Sequence, residues 1–235
     1  MRRRAPLRAA AGWAGVVAVA GLAPGILDRI DDRLDASLQG PGVRPWLEIA
    51  THAGDLQVLA AAVGTAGYRW TRRGEPGAVV ALLASFGLAE AIVWSTRPLV
   101  RRPRPAGDVP LPMGSSFPSA HAAASASVYL AMGLLLRGAP ERPRSSQVAV
   151  PAAGALCAAV AASRVTIRVH RSTDVIAGTA VGIVAARWSV GIHGKRSGRR
   201  DGGGGPRSRR RTAPTESVGA VRDGGAGGIR TPEGC

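Results

Sequence analysis

The sequence predicts an all-α fold, a bundle of six transmembrane helices with its functional residues gathered at one membrane face. Apolar residues concentrate in six stretches, at 9–27, 56–70, 77–96, 119–136, 147–163 and 174–192, and several approach the roughly 20 residues that cross a bilayer core. The composition, 46% hydrophobic with a formal charge of +16, fits a basic soluble domain or a small membrane protein, and the clustering of apolar residues selects the second. Three polar clusters lie at the ends of these stretches, in positions that counting helices brings to one side. A soluble bundle of Ala-rich helices is the alternative, but true spans are longer than most core helices.

Arg2, Arg3, Arg4 and Arg8 precede the first stretch and imitate a signal peptide. Without a persuasive cleavage site, 9–27 reads as an uncleaved first span behind a basic cytoplasmic N-terminus, residues 1–8. The stretch 56–70 follows Thr-His-Ala-Gly-Asp, whose His52 and Asp55 are expected in an outer turn. Glu90 lies inside 77–96, and an intramembrane carboxylate is a candidate for function, with a buried hydrogen bond or a position near the interface as the alternatives. The fourth stretch opens with Pro118, Ser119 and His121, where unpaired N–H groups and the helix dipole favour an anion. The fifth contains Cys157; with Cys235 as the only other cysteine, neither a disulfide framework nor a Cys-based metal site is implied. Six spans thus form one membrane domain over 9–192.

Beyond it, residues 193–235 hold 12 Gly and ten Lys or Arg and almost no large apolar side chains, too few to order the segment. It reads as a disordered basic tail. No aromatic residues are interleaved for stacking on nucleic acid, whereas anionic lipid headgroups suit its charge.

The three clusters are Arg97 to Pro105, which reads Arg, six residues, Arg-Pro; Pro118-Ser119-Ala120-His121; and Ser163-Arg164, five residues, His170, three residues, Asp174. Arg is so common here that the first says little alone, and the third is the specific one because His and Asp are sparse. In order and spacing they resemble the type 2 phosphatidic acid phosphatase superfamily, whose pattern is Lys-x6-Arg-Pro, Pro-Ser-Gly-His and Ser-Arg-x5-His-x3-Asp. The third element matches in full. Arg97 stands where the family has Lys, keeping the charge and adding a planar fork with a different reach. Ala120 stands where Gly is usual and keeps its backbone N–H. The resemblance covers about residues 28–192.

It implies an integral membrane phosphatase that needs no metal or other cofactor. His170 would be the nucleophile that attacks phosphorus, and four residues on, Asp174 would share a helix face with it and fix its tautomer. His121 would protonate the leaving oxygen and later activate water. Arg97, Arg104 and Arg164, with Ser119 and the N–H of Ala120, would bind the phosphoryl oxygens. The substrate would be a lipid phosphate monoester or diphosphate of the polyprenyl diphosphate, phosphatidic acid or phosphatidylglycerol phosphate type. Its partners are then membrane lipids and not nucleic acid.

With six crossings, parity puts all three clusters on one face whichever way the chain is inserted. Lys and Arg near the spans tie at ten on each side, and the tail decides for an inside C-terminus. That places the site on the extracytoplasmic side of a multi-pass plasma-membrane protein, with Asp28, Asp31, Asp32 and Asp35 on the same face. Rival readings are a vanadate-dependent haloperoxidase-like enzyme and a membrane protein that binds lipid headgroups without turnover. A metal held by His121, His170 and Asp174 is chemically conceivable, but three converging guanidinium groups oppose a cation there.

Overall fold

Helices that are apolar on every face have no side for water and must be covered by protein or lipid. The computed structural model describes residues 13–15, 17–18, 20–21, 24–38, 44–105, 114–138 and 144–202, and among them all regular structure is helical. The helices are α1 (Pro24–Leu38), α2 (Arg44–Thr51), α3 (Leu56–Arg72), α4 (Pro76–Val100), α5 (Ala120–Arg137), α6 (Ala149–Thr166) and α7 (Ser172–Gly202), with 3-10 turns at His52–Gly54 and Arg144–Val148.

Local chemistry sets the ends that matter for function. Pro76 opens α4, and the helix stops where Arg101 turns left-handed (φ 49°) and its N–H donates to the Arg97 carbonyl. Ser119 caps α5 by accepting from the Ala122 N–H at 3.5 Å. After α6, Arg168 adopts φ 55°, turning the chain into a short connection that carries His170 to the start of α7.

α5 is the interior helix. Ten of its 18 residues are buried, so it can carry Ser125 and Ser127 facing protein instead of large side chains facing lipid. α7 lies directly against it, and glycine makes that approach possible. A Cβ on Gly178 would collide with the Ser119 carbonyl, and one on Gly182 would sit 2.5 Å from both the Ala123 oxygen and the Ala126 Cβ. The Gly-x3-Gly spacing puts both on one face, a common device where helices pack in membranes. α4 packs on α5 as well, and its Ser85 hydroxyl donates to the Ser127 carbonyl at 2.8 Å. Leu59 and Trp70 of α3, Leu82 of α4 and Val128 and Leu135 of α5 complete the largest apolar cluster.

Outward faces are apolar too. α4 exposes Val80, Leu83 and Trp94, and α7 exposes Ile176, Ile183, Val184 and Trp188, side chains that suit lipid and not water. Among the described residues, three helical segments are long and apolar enough to cross a membrane: Pro76–Val100, Ser146–Thr166 and Ser172–Lys195. They correspond to the stretches expected at 77–96, 147–163 and 174–192. The stretches at 56–70 and 119–136 are helical, but α3 has 17 residues and α5 turns its apolar surface inward. Most of 9–27 lies outside the described residues; those described between 13 and 21 are helical, and from Pro24 the chain belongs to α1. α7 continues past the expected boundary at residue 192 to Gly202. The remainder of the expected tail, and the N-terminal segment 1–8, lie outside the described residues.

Gly182→Val should cost about 1–3 kcal/mol or more by overpacking the α5–α7 contact. Gly191→Ala, where a Cβ meets nothing within 4 Å, should cost none. Heat-unfolding midpoints of the two variants in detergent check the difference.

Candidate active site

The three clusters meet at one end of the bundle. Arg104 Nη1 donates to the Val169 carbonyl at 3.0 Å and lies 3.1 Å from His170 Nε2, joining the first cluster to the third. The Ser119 N–H donates to the Asp174 carbonyl at 3.0 Å, joining the second to the third. Arg97 Nη2 reaches the Pro118 carbonyl at 3.5 Å, joining the first to the second. Two more bonds clip the Arg102–Pro103 segment to the approach of α5: the Ser116 N–H to the Arg102 carbonyl at 2.8 Å and the Ser116 hydroxyl to the Pro103 carbonyl at 3.1 Å.

His170 is 3% exposed. Burial pushes its pKa down to about 4 against the pull of Asp174, with Arg104 and Arg164 adding to the fall, so the ring is neutral at pH 7. Arg104 can only donate, so its contact makes Nε2 the unprotonated nitrogen and puts the ring proton on Nδ1. Nδ1 faces Asp174 Oδ2 at 3.6 Å, too long for a full hydrogen bond, and Asp174 therefore acts on the ring through its charge. His170 and Asp174 do not share a helix face as the four-residue spacing suggested. His170 stands in the connection before α7, and Asp174 lies in the first turn of α7.

Asp174 is itself held elsewhere. Its Oδ1 accepts from Arg102 Nη1 at 2.8 Å and its Oδ2 from the Arg171 N–H at 3.0 Å. Arg102 Nη2 meets Asp31 at 2.5 Å and Asp28 at 2.8 Å. Burial works against the Arg102 charge, but Asp174, Asp31 and Asp28 outweigh it and hold the guanidinium above its ordinary pKa. Asp31 also accepts from the Thr173 N–H at 2.7 Å, and Asp35 from the Ser172 N–H at 2.9 Å, so acidic residues of α1 satisfy the free donors opening α7. Sequence reading placed the four aspartates on this face without partners and passed over Arg102. The spacing of Asp28, Asp31 and Asp35 against Ile26, Ile30 and Leu34 was the available signal, since it gives α1 an acidic and an apolar side.

The cationic residues retain free donors. Arg97 lies over the Trp94 ring at 4.9 Å, and Arg164 Nη1 donates to Thr51 Oγ1 at 2.8 Å. The Nε atoms of both, and His170 Nδ1, are buried with no hydrogen-bond partner among the described residues. Ser119 Oγ accepts the α5 cap, which leaves its O–H to donate, and Ala120 is the first helical residue, with an N–H that has no partner within the helix. A cavity of about 310 Å3 reaches His170 between Asp32, Asp35, Pro105 and Arg168. Another, of about 470 Å3, opens beside Trp94, Arg97 and Ser115.

His121 is a third exposed, and its Nε2 lies 3.3 Å from Asp55 Oδ1, while Asp55 Oδ2 is 2.9 Å from His52 Nδ1. The His52–Asp55 turn thus touches a proposed catalytic ring, where an outer turn apart from the site was expected. Burial raises the Asp55 pKa, but the hydrogen bonds from His52 and His121 win and leave it below the ordinary carboxylate value. Glu90 accepts from Trp94 Nε1 at 2.9 Å in an exposed contact, while its other carboxylate oxygen is buried with no partner among the described residues. His193 packs where a Gly77 Cβ would be, at the start of α4. The metal geometry considered from sequence is not gathered: among the described residues no three His, Cys, Asp or Glu side chains are placed to share an ion.

Residues 78–197 match the PAP2 superfamily. The chain belongs to that family. This PAP2 protein is a phosphatase with a membrane lipid phosphatase fold. The fold resembles the crystal structure of the first transmembrane PAP2 type phosphatidylglycerolphosphate phosphatase from Bacillus subtilis, with TM-score 0.70 and 22% identity over 82% of this chain and 97% of that one. It also resembles LpxE of Aquifex aeolicus, with TM-score 0.53 and 20% identity over 68% of this chain and 93% of that one. No curated protein matches the chain.

Two outcomes follow from the electrostatics. Arg102→Met strands two fully buried carboxylates, Asp31 and Asp174, and should cost about 3–5 kcal/mol, read as a large fall in the unfolding midpoint. His170 binds its proton near pH 6.5 when unfolded and near 4 when folded. Between those values the unfolded state holds more protons, so stability falls as pH drops from about 6.5 to about 4. His170→Asn should flatten that part of the stability profile.

Proposed function

We propose that this PAP2 phosphatase hydrolyses a phosphate monoester or diphosphate carried by a lipid, through a phosphohistidine at His170. The observation that carries the reading is the Arg104 contact to His170 Nε2 at 3.1 Å, which presents an unprotonated nitrogen beside a phosphate-binding fork. Nε2 attacks phosphorus while Arg97, Arg104 and Arg164 hold the equatorial oxygens, aided by the Ser119 hydroxyl and the Ala120 N–H. As the N–P bond forms and the P–O bond to the lipid alcohol or phosphate breaks, His121 gives its proton to the departing oxygen. Water then attacks, His121 takes a proton from it, the N–P bond breaks and inorganic phosphate leaves. Asp174 stabilises the imidazolium character of His170 as bonds change.

Support for a lipid substrate comes from position. Helices that expose Trp94, Leu99 and Ile176 to the surroundings end at the site, so a headgroup there keeps its tail beside apolar surface. The Bacillus subtilis protein is a phosphatidylglycerolphosphate phosphatase, which supports that substrate class; phosphatidic acid and polyprenyl diphosphate are compatible with the same site. We propose six crossings, with the first near 9–27 and α3 and α5 shielded by neighbours. The site then opens on the extracytoplasmic side of the plasma membrane, since the basic tail favours an inside C-terminus.

Release of inorganic phosphate from a panel of lipid phosphates, with EDTA present, tests the reading. His170→Ala should lose about four orders of magnitude or more in kcat. His121→Ala should lose about 10²–10⁴. Equal activity in wild type and His170→Ala would sink the mechanism; complete loss with EDTA would favour a metal; tight headgroup binding without turnover would favour the binding protein.

A further inference from the structure

We infer that Asp55 is a positioning residue for His121, orienting its ring and sustaining its second proton for transfer to the leaving oxygen. This rests on the reading of His121 as the general acid. The turn carrying Asp55 is built onto the site through Thr51, Ala53 and Gly54. Thr51 Oγ1 accepts from Arg164 Nη1 at 2.8 Å. The Ala53 carbonyl accepts from the Tyr129 hydroxyl at 2.6 Å, pinning the turn to α5 two turns below His121. Gly54 is buried, and a Cβ there would come 2.8 Å from Val160 Cγ1 and 3.3 Å from His121 Cδ2, so only glycine lets the turn lie against that ring. Asp55 then places Oδ1 at 3.3 Å from His121 Nε2.

The chemistry needs such a partner. Burial of the His121 ring, with the positive charge of Arg164 and Arg104, works against a second proton on it. A carboxylate in contact works for it. Asp55 stays ionised because His52, on its other oxygen, and His121 both donate to the charged form. With Nε2–H held by Asp55, the ring gains and loses its second proton at Nδ1. That proton passes to the lipid alcohol as its P–O bond breaks, and is regained from water as the N–P bond breaks, so the Asp55 carboxylate ends each turnover unchanged.

Leaving-group dependence tests the assignment. An alkyl lipid phosphate expels an alkoxide and needs the proton, whereas p-nitrophenyl phosphate expels a stabilised phenolate and needs it far less. Asp55→Asn should lower kcat on the lipid phosphate about 10–100-fold, the scale of a lost orienting partner, with a much smaller loss on the aryl ester. The double variant with His121→Ala should be no slower than His121→Ala alone. Equal losses on both substrates, no loss on either, or additive losses in the double variant would overturn the inference. If His121→Ala itself shows no such preference, the general-acid reading fails first and separately. Should Asp55→Asn not accumulate as folded protein, the same comparison on Asp55→Glu decides, with an intermediate loss of the same selectivity expected and equal losses overturning it.

Discussion

The site depends on a guanidinium that never meets substrate. Arg102 is 5% exposed and is shared among Asp28, Asp31 and Asp174, two of them fully buried. Moving such charges out of water is costly, and attraction compensates only where every donor and acceptor is matched. Here the matching is nearly complete: one Arg102 nitrogen serves α1 and the other serves α7, while Asp31 also takes the Thr173 N–H and hydroxyl. The network locks the direction of the chain after α4, so that Arg104, two residues on, arrives at His170. It also fixes Asp174, whose backbone carbonyl holds Ser119 and therefore the start of α5. One buried cation thus sets the relative positions of all three clusters.

That arrangement explains why α1 is part of the enzyme although it contributes no proposed catalytic group. Its aspartates point to the site, and Ile26, Ile30 and Leu34 are exposed on its other side. Acid on one face and branched aliphatics on the other suit a helix at the boundary of protein, lipid and water. The interior obeys a different economy. α5 and α7 exchange bulk for closeness through Gly178 and Gly182, which lets backbone atoms at the Ser119 end of α5 approach the Asp174 end of α7. Close packing of the two helices is what allows the Ser119–Asp174 backbone bond to form.

Much of this was legible in the sequence, for identifiable reasons. The Ser163 to Asp174 spacing marked the site because rare residue types recurred at fixed intervals, and long apolar runs marked α4, α6 and α7 because lipid-facing helices need them along their whole length. α5 was placed by its length and its Pro-Ser start, but its inward-facing apolar surface resembles a span without being lipid-exposed. Arg102 was hidden by abundance: among so many arginines, nothing local separates the one that is buried from Arg101, which caps α4 in solvent. Asp55 was hidden by distance, since its partner His121 is 66 residues away and no short-range pattern encodes that contact. The i, i+4 rule misled for His170 because it presumes a continuous helix, and the left-handed Arg168 shows that α6 ends before the histidine and α7 begins after it.

The two halves of the site are electrostatically unequal in a way that fits their proposed tasks. Around His170, burial and Arg104 keep the ring neutral, while the nearest carboxylate stands 3.6 Å off and is committed to Arg102. A nucleophile needs a free lone pair, so Asp174 must not compete by drawing a second proton onto the ring. Around His121, the carboxylate is nearer, a third exposed and bound otherwise to another histidine, so it works for a charged ring against burial and the arginines. An acid needs that charge. Arg97 Nε and Arg164 Nε remain buried donors without acceptors among the described residues, a cost of about 1–3 kcal/mol each that folding alone does not recover. Unrelieved donors of this kind collect where an anion is to be gripped, and here they flank the rings of His170 and His121, proposed to attack phosphorus and to release the lipid.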